Sequence, residues 1–172
     1  MRVLGVDPGL QCLGYGVVEF LGSGRKIAGR ISAKSNLRLI EAGFIKTSYK
    51  QPLTQRLKKI YSGLTEIIEA FNPQVLALEE LYSHYQNPKT AIMMAHARGV
   101  ICLAAAECGI DVVGYAATRV KKSITGAGAA QKPQVQKSIK EILGLDQVPN
   151  PHDVADALAI AITHINVISR KI

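Results

Sequence analysis

At 172 residues, 48% hydrophobic and 20% charged, the chain is long enough for one domain with a full core and too apolar for wholesale disorder. Its 21 lysines and arginines against 13 acidic residues give a net charge of +8 and a pI near 9.5, a balance that suits a polyanionic partner. Three cysteines (Cys12, Cys102 and Cys108) show no CxxC or zinc-like spacing, which argues against a disulfide scaffold or zinc module and fits a reduced, cytosolic protein.

Met1-Arg2 leads straight into an apolar run, so no signal peptide is expected. Residues 3–6 predict a short buried strand that turns through Pro8-Gly9 into a second strand over 14–20. The interval 21–39 is hydrophilic, with Arg25, Lys26, Arg30, Lys34 and Arg38 and no acid, and reads as a basic hairpin or loop. A third strand is expected over 42–47. Leu57, Ile60, Leu64, Ile67, Ile68 and Phe71 recur at helical spacing and predict an amphipathic helix ending near Asn72-Pro73.

Val75-Leu76-Ala77-Leu78 reads as a strand buried on both faces that ends on Glu79-Glu80. The next helix is expected to take Asn87 as cap and Pro88 at its first position, and to stop before Gly109. It is apolar nearly all round, so it is either buried within the monomer or covered by a second subunit. Residues 111–115 predict a fifth strand. "RVKKSITGAGAAQKPQVQKSIKEILG" supplies a basic segment, a glycine-rich loop and a helix closing at Gly144. Asn150 is the expected cap of a last helix with Pro151 at its first position. The stretch 154–168, the longest apolar one, carries Asp156, Thr163, His164 and Asn166 and reads as a core helix, not a membrane span. Three early strands followed by alternating helix and strand predict an α/β sandwich around a mixed sheet, a single domain over 1–172.

The carboxylates then fall into a pattern. Asp7 and Glu79 each end an apolar strand, and ligands of open α/β sheets bind at strand carboxyl ends. Asp153 and Asp156 are three residues apart, on one face of the last helix, with Asp153 near its third position, where the dipole favours an anion. Each feature alone is ordinary: Asp-Pro-Gly is a common turn, and strand-end or helix-start acids usually face water. Asp156, however, opens a run of Ala-Leu-Ala-Ile-Ala-Ile that must be buried. Four converging acids would repel one another unless cations neutralised them, and oxygen-only ligands suit magnesium or manganese. Two such ions roughly 4 Å apart would serve phosphodiester cleavage.

"GVDPG", "GYGVV", "LALEELY", "ARGV", "VKKSITGAGAAQKPQVQ" and "PHDVADALAIAITH" together resemble, in order and at similar spacing, the RuvC family of Holliday-junction endonucleases. The resemblance covers nearly the whole chain. It implies an RNase H-like fold with a mixed five-stranded sheet flanked by helices, a homodimer, symmetric cleavage of four-way DNA junctions in recombination and repair, and magnesium or manganese as cofactor, two ions per site. It implies Asp7, Glu79, Asp153 and Asp156 as the acidic tetrad and prefers Glu79 to Glu80, a choice that alternation in a doubly apolar strand leaves open. Lys121 and Lys132 match basic residues at the scissile phosphate, and Tyr82 matches an aromatic inserted at the crossover, while Lys122 reads as a solvated lysine or a general phosphate contact. Gly126 and Gly128 would let backbone approach DNA. The helix over 88–108 becomes a dimer interface, and a branch-migration motor becomes a partner. Among the histidines, only His152 stands beside the acids. The interval 21–39 is longer than the family's connection and reads as a basic insertion.

Other readings follow from the same residues. An actin-like ATPase also begins with Asp-x-Gly after a first strand, but it needs a second such half that this chain lacks. A related nuclease acting on RNA or another DNA structure would share the acids. A junction-binding protein without catalysis would have no use for four of them, since bare acids weaken binding to a polyanion.

Overall fold

The computed structural model describes residues 1–22, 36–80 and 88–169. The elements run β1 (Arg2–Asp7), β2 (Cys12–Phe20), β3 (Leu37–Lys46), α1 (Leu53–Phe71), β4 (Val75–Glu79), α2 (Pro88–Glu107), β5 (Asp111–Tyr115), α3 (Ala117–Thr125), α4 (Lys132–Leu143) and α5 (His152–Ser169). The strands form one sheet in the order β3-β2-β1-β4-β5. β1 pairs antiparallel with β2, and β2 with β3; β4 lies parallel to both β1 and β5. This is the expected mixed five-stranded sheet.

Strand alternation divides the core in two. Leu4, Val6, Leu13, Val17, Leu76 and Leu78 meet α1 and α2 on one face. Val3, Val18, Val75, Ala77 and Tyr115 meet α3, α4 and α5 on the other. The helical spacing read in α1 buries Ile60, Leu64, Ile67 and Ile68, each contributing about 1.5–3 kcal/mol of burial free energy. The helix runs from Leu53 to Phe71 and is capped by Asn72, whose backbone is left-handed (φ 47°) and whose N–H donates to the Ile68 carbonyl at 2.8 Å.

α5 lies unusually close to the sheet. A Cβ on Gly5 would stand 2.0 Å from the Ala157 carbonyl oxygen, and one on Gly14 2.1 Å from the Asp153 carbonyl oxygen. Bare Cα atoms at these two positions let the helix backbone rest directly on β1 and β2. Every α5 residue from Val154 to Ile165 except Asp156 is buried.

Several boundaries differ from expectation. β2 starts at Cys12 and β3 at Leu37, so the end of the basic interval is strand. Arg38 from that interval is paired with Glu19 across β2 and β3 at 2.5 Å, and Arg2 holds the same carboxylate at 3.1 Å. The interval's remaining basic residues, and Asn87, Tyr82 and His84, lie outside the described residues. Asn150 does not cap α5: the helix begins at His152, Pro151 precedes it after a cis peptide bond, and the Pro151 carbonyl accepts the Val154 N–H at 3.0 Å. Asp153 is therefore the second helical residue.

α2 is not buried all round. Ala97, Ile101, Ala104 and Ala105 face the core, while Ile92 and Leu103 remain 55% and 51% exposed. Its 20 residues meet the length and composition of a membrane span, but its buried stripe belongs to the protein core against α1.

Candidate active site

Parallel pairing of β1 with β4 sets Val3 beside Val75, Gly5 beside Ala77 and Val6 beside Leu78. The next position on each strand is Asp7 and Glu79, so both acids reach the same sheet end. Parity decides the direction of each side chain. Val75 and Ala77 face α5, and so does Glu79; Glu80 turns to the other face, where its Cγ would stand 3.0 Å from a Cβ on Gly114. Apolarity of the strand could not make this choice, because both of its faces are covered.

Asp156, one turn into α5, completes a cleft of about 230 Å³ with Asp7, Glu79, Val120, Lys121 and Lys132. Lys132 Nζ stands 3.7 Å from Asp156 Oδ2. Asp153 lies on the wall of a neighbouring cleft, with His152 Nε2 3.8 Å from its Oδ1. Burial, then repulsion by Asp156, Glu79 and Asp153, pushes the Asp7 carboxyl up from 3.8 to about 8, eased by Lys132. Burial also raises Glu79 and Asp156; Asp156 adds to the rise at Glu79, while Lys121 and Lys132 oppose it at both. The Cys12 thiol is pushed up to about 11 by burial and by Asp153 beside it.

Among the described residues no three His, Cys, Asp or Glu side chains stand ready-made around a single ion. The donor set nevertheless fits a hard divalent cation: it is oxygen-only, anionic, half-buried and self-repelling, so bound positive charge offsets the burial and the repulsion that together raise the Asp7 carboxyl.

Lys122 points to a different place, a cleft of about 330 Å³ shared with Arg119, Ser123, Gly126 and Asn166. Gly126 has a local reason to be glycine: at φ 80° it ends α3, its N–H on the Lys122 carbonyl at 3.0 Å. Two arginines gain roles that sequence reasoning missed. Arg98 of α2 donates to the Glu79 main-chain carbonyl and steadies the end of β4. Arg56 of α1 donates to Thr47 Oγ1 at 3.0 Å and to the Leu10 carbonyl at 3.2 Å, tying down the turn after Asp7. The "ARGV" motif drew attention to Arg98 without a role; nothing local marked Arg56.

A family model described as "Crossover junction endodeoxyribonuclease RuvC" matches residues 3–164. The chain belongs to the RuvC family. The RuvC of Rhodopirellula baltica is 47% identical over 93% of this chain and 83% of its own length. The solved Thermus thermophilus RuvC superposes with a TM-score of 0.85 at 35% identity, covering 99% of this chain and 97% of that one. T. thermophilus RuvC in complex with a Holliday junction substrate gives 0.86 at 34%, covering 99% and 96%. The fold is thus RNase H-like, and the RuvC family is one of metal-dependent hydrolytic nucleases.

Proposed function

We propose that this chain resolves four-way DNA junctions by symmetric phosphodiester hydrolysis, with Asp7, Glu79, Asp153 and Asp156 as metal ligands and Lys121 and Lys132 at the scissile phosphate. One observation carries the reading: in a RuvC-family chain, acids from β1, β4 and α5 gather at one sheet end in a cleft walled by two lysines. Two bound magnesium or manganese ions would supply an activated water and stabilise the leaving oxygen. The residues' own work is to orient and to balance charge. β1 and β4 hold Asp7 and Glu79 rigidly, α5 brings Asp156 over them, and Lys132 and Lys121 draw an anionic phosphate into a site that its acids would otherwise repel. Lys122 and Tyr82 are further DNA contacts on this reading, and the net charge of +8 favours the polyanion. Resemblance adds a branch-migration motor as partner, and the three free cysteines fit a cytosolic location.

The test is incision of a synthetic four-way junction with magnesium, beside a linear duplex and an RNA–DNA hybrid. Paired nicks confined to the junction, lost on chelation, are expected. Equal cutting of the hybrid would indicate a different RNase H-like substrate, and tight binding with no nick in either metal would indicate a non-catalytic protein.

Symmetric cutting needs two sites, and α2 offers the surface. Ile92, Ala95, Gly99, Leu103 and Ala106 are exposed and spaced three or four apart, forming one apolar stripe. A second copy would cover it isologously. Leu103→Glu should therefore sediment as a monomer and lose paired incision; a dimer unchanged by this substitution would rule that face out.

A further inference from the structure

Arg56 is only 9% exposed. A guanidinium this buried ordinarily meets a carboxylate. All 13 acidic residues lie within the described part of the chain, and none stands at ion-pairing distance from it. Its partners are neutral: Nε donates to Thr47 Oγ1 and Nη2 to the Leu10 carbonyl, which also accepts the Thr47 hydroxyl at 2.6 Å. These bonds fix the guanidinium plane and leave Nη1 without a partner among the described residues. No buried side-chain nitrogen there lacks a partner, so Nη1 reaches solvent.

The solvent it reaches fills a cleft of about 560 Å³ that Arg56 lines with Gln11, Lys89, Thr90, His152 and Asp153. This cleft adjoins the acidic site. Asp153 forms part of its wall, and the turn that follows Asp7 supplies Gly9 to Cys12. Three basic side chains thus face a space whose one acid, Asp153, belongs to the tetrad. The cations that ease Asp7, Glu79 and Asp156 are Lys121, Lys132 and His152, and Arg56 is not among them. Its charge is uncommitted, its plane is fixed, and its open side faces a cleft, walled also by Met93 and Met94, beside the acidic site. The open Nη1, charged and held in place, can donate to a non-bridging oxygen of a phosphodiester.

We propose that Arg56 and this cleft bind a backbone phosphate of the strand being cut, adjacent to the scissile phosphate. This inference rests on the proposed function. The contact reads no base; it sets the register of the strand, holding the scissile phosphate over the acids while its neighbour is gripped alongside. Because the same guanidinium ties the Leu10 turn, strand binding and the position of Asp7 are coupled through one side chain.

Two measurements test this, both on the uncut four-way junction in calcium. In the first, junction affinity is measured against salt for the wild-type protein, Arg56→Gln and Arg56→Lys. Loss of one phosphate contact lowers the log–log slope by about 0.9, so Arg56→Gln should show that drop and Arg56→Lys, which keeps the charge, should not. In the second, each phosphate flanking the cut is replaced singly by a neutral methylphosphonate. One such junction should bind the wild-type protein severalfold more weakly, and Arg56→Gln should not sense that replacement. A Gln variant with the wild-type slope, or with the same methylphosphonate profile, would make Arg56 a structural tie only and overturn the proposal. A wild-type profile flat across the flanking phosphates would overturn it even if Arg56→Gln does not fold. Absence of junction nicking by the wild-type protein in magnesium would instead remove the proposed function itself.

Discussion

Asp7→Asn should cut a four-way junction about a thousandfold more slowly than the wild-type protein, and bind it no less tightly. Metal-assisted charge stabilisation contributes several kcal/mol at the transition state, and each 1.36 kcal/mol is about tenfold in rate. Asn keeps the shape and removes the anion, so DNA binding is preserved while metal is lost. Glu79→Gln, Asp153→Asn and Asp156→Asn should behave alike. Two or more of the four cutting at the wild-type rate would dissolve the tetrad. Asp7 also carries a signature independent of turnover. Its carboxyl is raised from 3.8 in an unperturbed chain to about 8 in the fold. Below the lower value both states hold the proton, and the contribution of Asp7 to stability is fully present. Between the two values only the folded, metal-free protein holds it, so that contribution is lost as pH rises toward about 8 and then levels. Chemical denaturation of metal-free protein from acid to mildly alkaline pH should show this decline, and Asp7→Asn should flatten it. Parallel curves would mean that Asp7 is not held protonated in the fold. Added metal should restore stability at the alkaline end, where it no longer competes with the proton.

What could be read in the chain and what could not divides along physical lines. Asp7 and Asp156 stood out because each interrupts an apolar pattern at a strand end or helix start, and Asp153 because it lies three residues before Asp156 at the start of the same helix. Such an interruption is a local signal. Glu79 was legible as one of a pair, and the choice within the pair needed the sheet, since parity acquires meaning only when Val75 and Ala77 are known to meet α5. The amphipathic α1 followed from spacing alone. α2 did not, because a helix apolar nearly all round offers no one face to choose, and its core side is set by packing on α1. The start of α5 differs from expectation at Asn150-Pro151, because the usual cap-then-proline order assumes the proline is already helical and here the helix begins at His152. The roles of Arg98 and Arg56 were invisible for another reason. Each acts 19 or more residues away along the chain, on the Glu79 carbonyl in one case and the Leu10 carbonyl in the other, and a cation bonded to a main-chain oxygen leaves no complementary residue to find.

Gly14→Ala should lower junction cleavage by about a hundredfold while the protein still folds. Gly14 is the cross-strand partner of Asp7 in the β1–β2 ladder, and the backbone of Asp153 rests on it. A methyl group there would lie 2.1 Å from the Asp153 carbonyl oxygen and 2.3 Å from its carbonyl carbon. Those are main-chain atoms of a helix start and cannot rotate away, so the first turn of α5 must retreat by an ångström or so, carrying Asp153 with it. A displacement of that size costs on the order of 10²-fold in rate where reacting groups must be aligned, and overpacking adds about 1–3 kcal/mol of destabilisation. Gly16→Ala is the matched control. Its added methyl would meet Leu158 Cδ2 at 2.5 Å and Cγ at 2.9 Å, side-chain atoms of the core and not the main chain of Asp153, so the strain falls on packing further along α5. Nicking rates and melting temperatures for both variants separate the two effects. Gly16→Ala should lose some stability and keep most of its activity, whereas Gly14→Ala should lose activity out of proportion to its stability. Wild-type cutting by a folded Gly14→Ala protein would mean that the close seat of α5 on β2 does not position Asp153 for the reaction.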